Sequence, residues 1–256
     1  MSKKPELIVA LDVDTLEEVR TLVDALDDKI NIYKIGSQLF TACGPAAARF
    51  VMARGKQVFL DLKYHDIPNT VASAVRSAVG LVKAVERSAP VSKENASKIG
   101  GLLMFTVHTC GGEAMMWAAA ESAKQAAQEF GVPRPLIVGV TVLTSQAESS
   151  GQGLTSTGDG DKIGRSVLER AVLARAAGLD GVVASCHEAP AIRREFGNDF
   201  VIVTPGIRPA GIDAGDQKRI ATPKAAVDSG SSYLVVGRPI VKAADPEQAA
   251  ADILKE

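Results

Sequence analysis

Short β-type runs alternate with amphipathic or alanine-rich helical stretches along the whole chain, and this alternation is the strongest constraint on the fold. The predicted strands lie near 7–11, 32–35, 57–62, 102–107, 136–142, 181–184, 200–204 and 233–236. The predicted helices cover 15–26, 45–54, 67–87, 113–129, 163–176, 187–196, 222–229 and 246–255. Strand–helix alternation implies parallel pairing, so eight such units predict an α/β fold, a (β/α)₈ TIM barrel.

The length of the chain fits one such barrel, since (β/α)₈ barrels of about 250 residues ordinarily form a single domain. We therefore predict one catalytic domain over 1–256. An open, doubly wound sheet is the structural alternative. Against that alternative, no G-x-G-x-x-G motif follows the first predicted strand.

Composition excludes several classes of function. The formal net charge is -1 and the aromatic content is 4%, which argues against binding to nucleic acid or to an anionic membrane surface. No apolar run reaches the ~18 residues of a membrane span, and no signal-type segment precedes the first strand, so a cytoplasmic protein is expected. Cys43, Cys110 and Cys186 are odd in number and lack C-x-x-C spacing, which predicts neither disulfides nor a zinc site.

In a barrel of parallel strands, chemistry belongs at the carboxyl ends of the strands, where the βα loops meet. Polar or ionisable residues follow seven of the predicted strands at that end. In chain order they are Asp12, Lys34, Asp61 with Lys63, His108, Thr144, Arg208, and Gly237 with Arg238. Randomly placed surface charges would not recur at the same end of seven strands, so the pattern predicts a functional site.

Some members of this set also have structural explanations. Asp12 is placed to cap the helix predicted from Thr15, and a hydrogen bond from His108 to a neighbouring loop would explain that residue equally well. Lys34 is harder to explain by structure alone. It lies within an apolar run, I-Y-K-I-G, where an ammonium needs a carboxylate or water as partner.

Charge is densest in segment 57–70, where an apolar strand passes into a helix. Because successive strand side chains alternate between faces, Asp61 and Lys63 are predicted to point the same way, with Asp66 close by where the chain turns. The pattern favours a catalytic cluster of two carboxylates and one ammonium. The alternative is a structural Asp61–Lys63 ion pair, with Asp66 as the N-cap of a helix that starts near Ile67.

The last quarter of the chain indicates a phosphate ligand. The segment 204–211 reads T-P-G-I-R-P-A-G, and the eighth strand ends in V-V-G-R-P. Barrels often bind phosphate at the loops after strands seven and eight, where Gly237 permits close backbone approach and Arg238 offers a bidentate fork. A surface salt bridge is the alternative role for Arg238. The long loops predicted at 144–162 and 206–217 are candidate lids.

Seven strings occur in the order and spacing typical of one enzyme family. They are A-L-D (10–12), K-I-G (34–36), D-L-K-Y-H-D-I-P-N-T (61–70), V-L-T-S (142–145), T-P-G-I-R-P (204–209), G-D-Q-K-R-I (215–220) and V-G-R-P (236–239). On these strings the chain resembles the orotidine 5'-phosphate decarboxylase family of bacteria. The tract 83–100 departs from the family pattern, because it is longer than the usual connection at the bottom face of the barrel.

The resemblance implies loss of CO₂ from orotidine 5'-monophosphate to give UMP, the last step of pyrimidine nucleotide synthesis, with no metal or organic cofactor. It implies a proton donor, Lys63, a carboxylate beside that of the substrate, Asp61, and a charge network completed by Lys34 and Asp66. It further implies a homodimer in which each partner contributes Asp66, Ile67 and Thr70. The implied substrate contacts are Asp12 and Lys34 for the ribose, Thr144 for the pyrimidine, and Arg208, Gln217, Gly237 and Arg238 at the phosphate end, with Pro205 as a further substrate contact.

Two other functions stay open on the sequence. A related group of Mg²⁺-dependent enzymes, acting on keto-sugar phosphates, shares D-x-K-x-x-D but typically has an acidic residue where this chain has Lys34. A non-catalytic phosphosugar-binding barrel is the second alternative. The complete set of ionisable residues argues against it.

Overall fold

The computed structural model describes residues 4–88, 99–144, 162–209 and 220–256. Eight parallel strands close into a barrel in chain order, with β1 paired to both β2 and β8. The strands are β1 Glu6–Ala10, β2 Ile32–Gly36, β3 Gln57–Tyr64, β4 Leu102–His108, β5 Leu136–Val140, β6 Gly181–Val183, β7 Val201–Thr204 and β8 Tyr233–Val236. The predicted (β/α)₈ barrel is confirmed, and the open sheet is excluded by the β1–β8 pairing.

Helices follow the strands around the barrel. Within the described ranges they are α1 Leu16–Ala25, α2 Ser37–Cys43, α3 Ala46–Ala53, α4 Pro68–Val79, α5 Leu81–Ser88, α6 Glu113–Phe130, α7 Lys162–Ala176, α8 Ala189–Phe196, α9 Pro223–Asp228, α10 Arg238–Val241 and α11 Pro246–Lys255. No helix in this part of the chain combines the length and the apolar character needed to cross a membrane.

The structure corrects several predicted boundaries. The helix predicted over 67–87 is two helices, α4 and α5, which meet at Gly80. This is physically reasonable because glycine is among the weakest helix formers. β5 ends at Val140 instead of residue 142, whereas β3 continues to Tyr64. The short helices α2 and α10 were not predicted at all.

The lengthened tract predicted at 83–100 is only partly described. Its first part is the end of α5, which packs against α3. Its last residue, Gly100, lies beside the end of α3, where its N–H donates to the carbonyl of Met52. Residues 89–98 lie outside the described part of the chain, so the prediction of a lengthened bottom connection stays a prediction.

Two apolar clusters hold the barrel together. One lies between the strands and the helices, and the other fills the barrel interior with residues such as Ile32, Phe59 and Met104. Because strand side chains alternate, the residues two positions further along these strands face the interior again. These residues are Lys34, Asp61 and Thr106, so the packed interior ends in a polar layer at the carboxyl end.

Tyr33 carries an unpaired polar atom in the outer cluster. Its side chain is fully buried, and among the described residues its hydroxyl has no hydrogen-bond partner. Burial, followed by the charges of Asp27 and Asp24, raises the pKa of the phenol. An unsatisfied buried hydroxyl is destabilising relative to a matched apolar group.

We therefore expect Tyr33→Phe to raise the free energy of unfolding by roughly 1 kcal/mol. The corresponding rise in Tm is about 2–4 °C for a chain of this size, measurable by scanning calorimetry. A fall in Tm of similar size would contradict this, because it would mean that the hydroxyl has a stabilising partner.

Candidate active site

A cavity of about 330 Å³ opens at the carboxyl end of the barrel. Residues at the ends of seven strands line it, as expected for a barrel of this type. The set differs from the predicted one, because β6 contributes Val183 and Ala184, whereas β4, which was predicted to contribute His108, contributes none. The predicted site residues in its lining are Asp12, Lys34, Asp61, Lys63, Thr144, Pro205, Arg208, Gly237 and Arg238.

Four of these side chains form a line of alternating charge. Lys34 Nζ lies 3.2 Å from Asp12 Oδ1 and 3.6 Å from Asp61 Oδ2. Lys63 Nζ donates to Asp61 Oδ2 at 2.9 Å. The order is therefore Asp12, Lys34, Asp61, Lys63, and each ammonium lies beside at least one carboxylate.

Asp61 is the buried centre of this line. Burial raises the pKa of its carboxyl group, but the positive charges of Lys34 and Lys63 outweigh burial, assisted by hydrogen bonds from Lys63 and Thr106. The net result is a pKa below that of an ordinary aspartate. The carboxylate is thus charged at neutral pH. The stability that this carboxylate adds to the folded state is fully present at a pH above the ordinary aspartate pKa. It is lost as the pH falls through the lowered pKa of Asp61.

The backbone of Lys63 is unusual. Among the described residues it is the one non-glycine residue with positive φ, at 52°. The β3–β4 pairing shifts register between Leu60 and Tyr64, so Lys63 lies within an irregular part of the ladder. A left-handed conformation costs a residue with a side chain roughly 1–2 kcal/mol. Such strain is often found at functional sites, where the surrounding structure maintains it.

Sequence reasoning missed Thr106, a fully buried residue of β4. Its hydroxyl accepts a hydrogen bond from Lys63 N–H at 2.8 Å and donates one to Asp61 Oδ1 at 3.0 Å. The available signal was a polar residue in the apolar run L-L-M-F-T-V-H, on the inward face two positions after Met104.

Two glycines leave room for the charged line. A Cβ on Gly36 would lie 2.9 Å from Lys34 Nζ, and one on Gly237 would lie 3.1 Å from Asp12 Oδ2. These contacts are closer than side chains normally tolerate. Gly237 therefore serves close packing against Asp12 as well as any approach of a ligand.

Two arginines also line the cavity. Arg208 is buried, whereas Arg238, the first residue of α10, is exposed. The backbone around Arg208 is fixed, because Arg208 N–H donates to the Ala221 carbonyl and Ala221 N–H to the Gly206 carbonyl. Gln217 lies outside the described residues, as do most of the two predicted lid loops.

Asp66, Ile67 and Thr70 do not line the cavity of their own chain but lie on an exposed surface. The N-cap of α4 is Ile67, without a side-chain cap, and Asp66 Oδ1 accepts from Ile67 N–H at 2.7 Å. The interpretation of Asp66 as N-cap is therefore wrong. The interpretation of Asp12 as a helix cap is also wrong, because Thr15 caps α1 through a capping box with Glu18.

His108 lies beside the site without lining it. Its ring centroid is 5.6 Å from that of His65. Burial, followed by the nearby His65 and Lys63, lowers the pKa of His108. The position of His108 outside the cavity lining argues against contact with a ligand bound there. Across the described residues, no group of three or more His, Cys, Asp and Glu side chains is arranged to hold a metal ion.

Comparisons with known proteins all lead to the same enzyme family. The family model described as "Orotidine 5'-phosphate decarboxylase / HUMPS family" matches residues 5–253. An orotidine 5'-phosphate decarboxylase of Moorella thermoacetica is 46% identical over 100% of this chain and 93% of its own length. One of Geotalea daltonii is 44% identical, over 99% and 96%. The crystal structure of orotidine 5'-phosphate decarboxylase from Lactobacillus acidophilus superposes with a TM-score of 0.74 at 32% identity, covering 99% of this chain and 98% of its own.

Proposed function

The chain belongs to the orotidine 5'-phosphate decarboxylase / HUMPS family, and we propose that it converts orotidine 5'-monophosphate to UMP and CO₂. It is a carboxy-lyase of the last step of de novo pyrimidine nucleotide biosynthesis. The observation that carries this assignment is the line Asp12, Lys34, Asp61, Lys63 at the mouth of the barrel.

Lys63 is the proton donor to C6 of the pyrimidine. Departure of CO₂ leaves an electron pair on that ring carbon, so the site needs a cation where the charge develops and an acid to quench it. The Lys63 ammonium provides both. Its side chain is about one-third exposed at the cavity surface, so it is accessible to a bound substrate.

Asp61 contributes repulsion towards the substrate carboxylate that disappears as CO₂ leaves. Two unit charges ~4 Å apart interact by about 4 kcal/mol at an effective dielectric constant near 20. Complete relief in the transition state would accelerate the reaction roughly a thousandfold. Enzymes typically supply ~8–23 kcal/mol, so most of the acceleration must come from preorganised charge and from binding energy at the phosphate.

Lys34 favours this reaction over the Mg²⁺-dependent alternative. Its ammonium lies between the carboxylates of Asp12 and Asp61, the position in which a bound cation would otherwise balance them. The chain therefore supplies that cation itself, which supports a reaction without a bound metal ion.

The remaining cavity residues bind the substrate. Asp12 and Lys34 contact the ribose hydroxyls, and Thr144 contacts the pyrimidine. The phosphate lies towards β7 and β8, where anionic oxygens can accept from two guanidinium groups. The residues assigned to that end are Arg208, Gln217, Gly237 and Arg238, and Pro205 is a further substrate contact in the cavity lining.

The function is tested by incubating the purified chain with orotidine 5'-monophosphate and separating the nucleotides by chromatography. We expect stoichiometric UMP and CO₂. Turnover of a keto-sugar phosphate, found only with Mg²⁺ and without UMP formation, would instead indicate the related metal-dependent activity. Tight binding without turnover of either compound would indicate a binding-only barrel.

We also propose that the enzyme acts as a homodimer with shared sites. Ile67 is a large apolar side chain with 67% of its surface exposed, and a second copy of the chain would cover it. Asp66 and Thr70 flank it, outside the cavity of their own chain. A second copy that covers Ile67 would bring these residues to its own site, where Asp66 extends the charge line beyond Lys63.

Mixing inactive Lys63→Ala and Asp66→Ala chains tests this arrangement. A mixed dimer contains one site with both an intact Lys63 and an intact partner Asp66. With random exchange between equal amounts, about a quarter of the wild-type activity per site should return. Either variant alone is the control. No recovery, after subunit exchange is demonstrated by mass spectrometry, would contradict a shared site.

We further expect the enzyme in the cytoplasm, as befits a step of nucleotide biosynthesis. Cys43, Cys110 and Cys186 are all free thiols, which is typical of a reducing compartment. Cell fractionation with an antibody against the chain would test this location.

A further inference from the structure

We propose that Thr106 is a positioning residue that holds Asp61 and the backbone of Lys63 in their working geometry. One buried hydroxyl contacts both residues, accepting from Lys63 N–H at 2.8 Å and donating to Asp61 Oδ1 at 3.0 Å. Thr106 does not line the cavity, so it acts through these two residues and not on the substrate. Its kinetic consequence rests on the proposed function.

The contact with Lys63 compensates for the irregular ladder. The β3–β4 pairing shifts between Leu60 and Tyr64, so the Lys63 N–H lies where regular pairing is interrupted. A buried N–H without an acceptor is costly. The Thr106 hydroxyl provides that acceptor and thereby helps to maintain the positive φ of Lys63.

The contact with Asp61 fixes the direction of the carboxylate. Both ammonium groups, of Lys34 and Lys63, approach Oδ2, whereas Thr106 occupies Oδ1. Because the two ammonium groups hold Oδ2 and the Thr106 hydroxyl holds Oδ1, the carboxylate of Asp61 cannot rotate freely about the Cβ–Cγ bond. The direction in which Asp61 meets the substrate carboxylate is thus set by the neighbouring strand.

Thr106→Val and Thr106→Ser separate the hydroxyl from the shape of the side chain. Valine keeps the volume and removes the hydroxyl, so we expect kcat to fall about ten- to a hundredfold while KM changes less than about threefold. Serine keeps the hydroxyl and should stay within about threefold of wild type. In an Asp61→Ala background, Thr106→Val should have a smaller effect, because one of the two partners of the hydroxyl, the Asp61 carboxylate, is already gone and the Lys63 N–H is the partner that remains.

Thr204→Val is the matched control. Thr204 is also a fully buried strand threonine, but its hydroxyl bonds to Ser231 and it lies outside the cavity lining. The Thr204→Val substitution should lower Tm, as Thr106→Val does, but it should leave kcat unchanged. Equal kcat in Thr106→Val and wild type would overturn the proposal. So would a serine variant as slow as the valine variant, or a Thr106→Val chain that fails to fold while Thr204→Val folds.

The crystal structure of Thr106→Val tests the positioning without any assay. We expect the Asp61 carboxylate to rotate or the Lys63 φ to leave the left-handed region. An unchanged Asp61–Lys63 pair would overturn the proposal even if the wild type is active. Conversely, a wild-type chain without UMP formation would refute the proposed function, and the structural result would still decide the role of Thr106.

Discussion

Replacing Lys63 with alanine lowers kcat for orotidine 5'-monophosphate by at least about a thousandfold, the largest effect expected of any single substitution. The change removes the acid that protonates C6 and the cation that faces the developing charge. It also leaves Asp61 Oδ2 with Lys34 as its remaining ammonium partner, at 3.6 Å. Single-turnover measurement of UMP formation gives the rate of the chemical step directly.

The matched control is Lys56→Ala, at the opposite end of the same strand. Lys56 is also largely buried and pairs with Asp27 at 2.9 Å, far from the cavity lining. Its loss should lower Tm and leave kcat unchanged. If Lys63→Ala retained a tenth of the wild-type kcat while folded, Lys63 would not be the proton donor.

Removing the phosphate contacts is expected to have the second-largest effect. Orotidine, which lacks the phosphate, should lose kcat as well as affinity, and Arg238→Ala should lower kcat/KM by about a hundredfold. The reason is that binding energy at a remote group lowers the barrier only if it is used to complete the catalytic geometry. Steady-state kinetics with both substrates separate kcat from KM.

Lys242→Ala is the control for Arg238→Ala. Lys242 follows the same short helix, α10, is exposed and does not line the cavity. It removes the same unit of charge, so any general electrostatic effect would appear in both variants. A rise in KM alone, with kcat unchanged for Arg238→Ala and for orotidine, would contradict the link between phosphate binding and catalysis.

The sequence predicted the barrel because the signals for it are local. Each strand and helix carries its own periodicity, and eight of them in parallel order leave few closed arrangements. The strand-end residues then converge by topology alone, which is why Asp12, Lys34 and Asp61 were predicted together. The T-x-x-E of Thr15 and Glu18 was also a readable capping signal, and it already argued against Asp12 as a cap.

The features that were not predicted depend on contacts between strands, which no local sequence pattern encodes. Alternation of side chains presupposes a regular β3, yet Lys63 has positive φ within a shifted ladder and still reaches Asp61. The role of Thr106 depends on that shift, so its hydroxyl could not be assigned from β4 alone. The boundary between α4 and α5 at Gly80 was likewise not predicted, because packing decides whether a helix bends at a glycine or is interrupted there.

Metal-free decarboxylation through Lys63 is tested most directly by the ultraviolet absorbance of orotidine 5'-monophosphate mixed with the purified protein in excess EDTA. We expect the absorbance characteristic of the substrate to fall at the same rate with and without the chelator, because Lys34 and Lys63 supply the positive charge. Loss of activity in EDTA that Mg²⁺ restores would contradict it. So would an unchanged absorbance from a folded protein under both conditions.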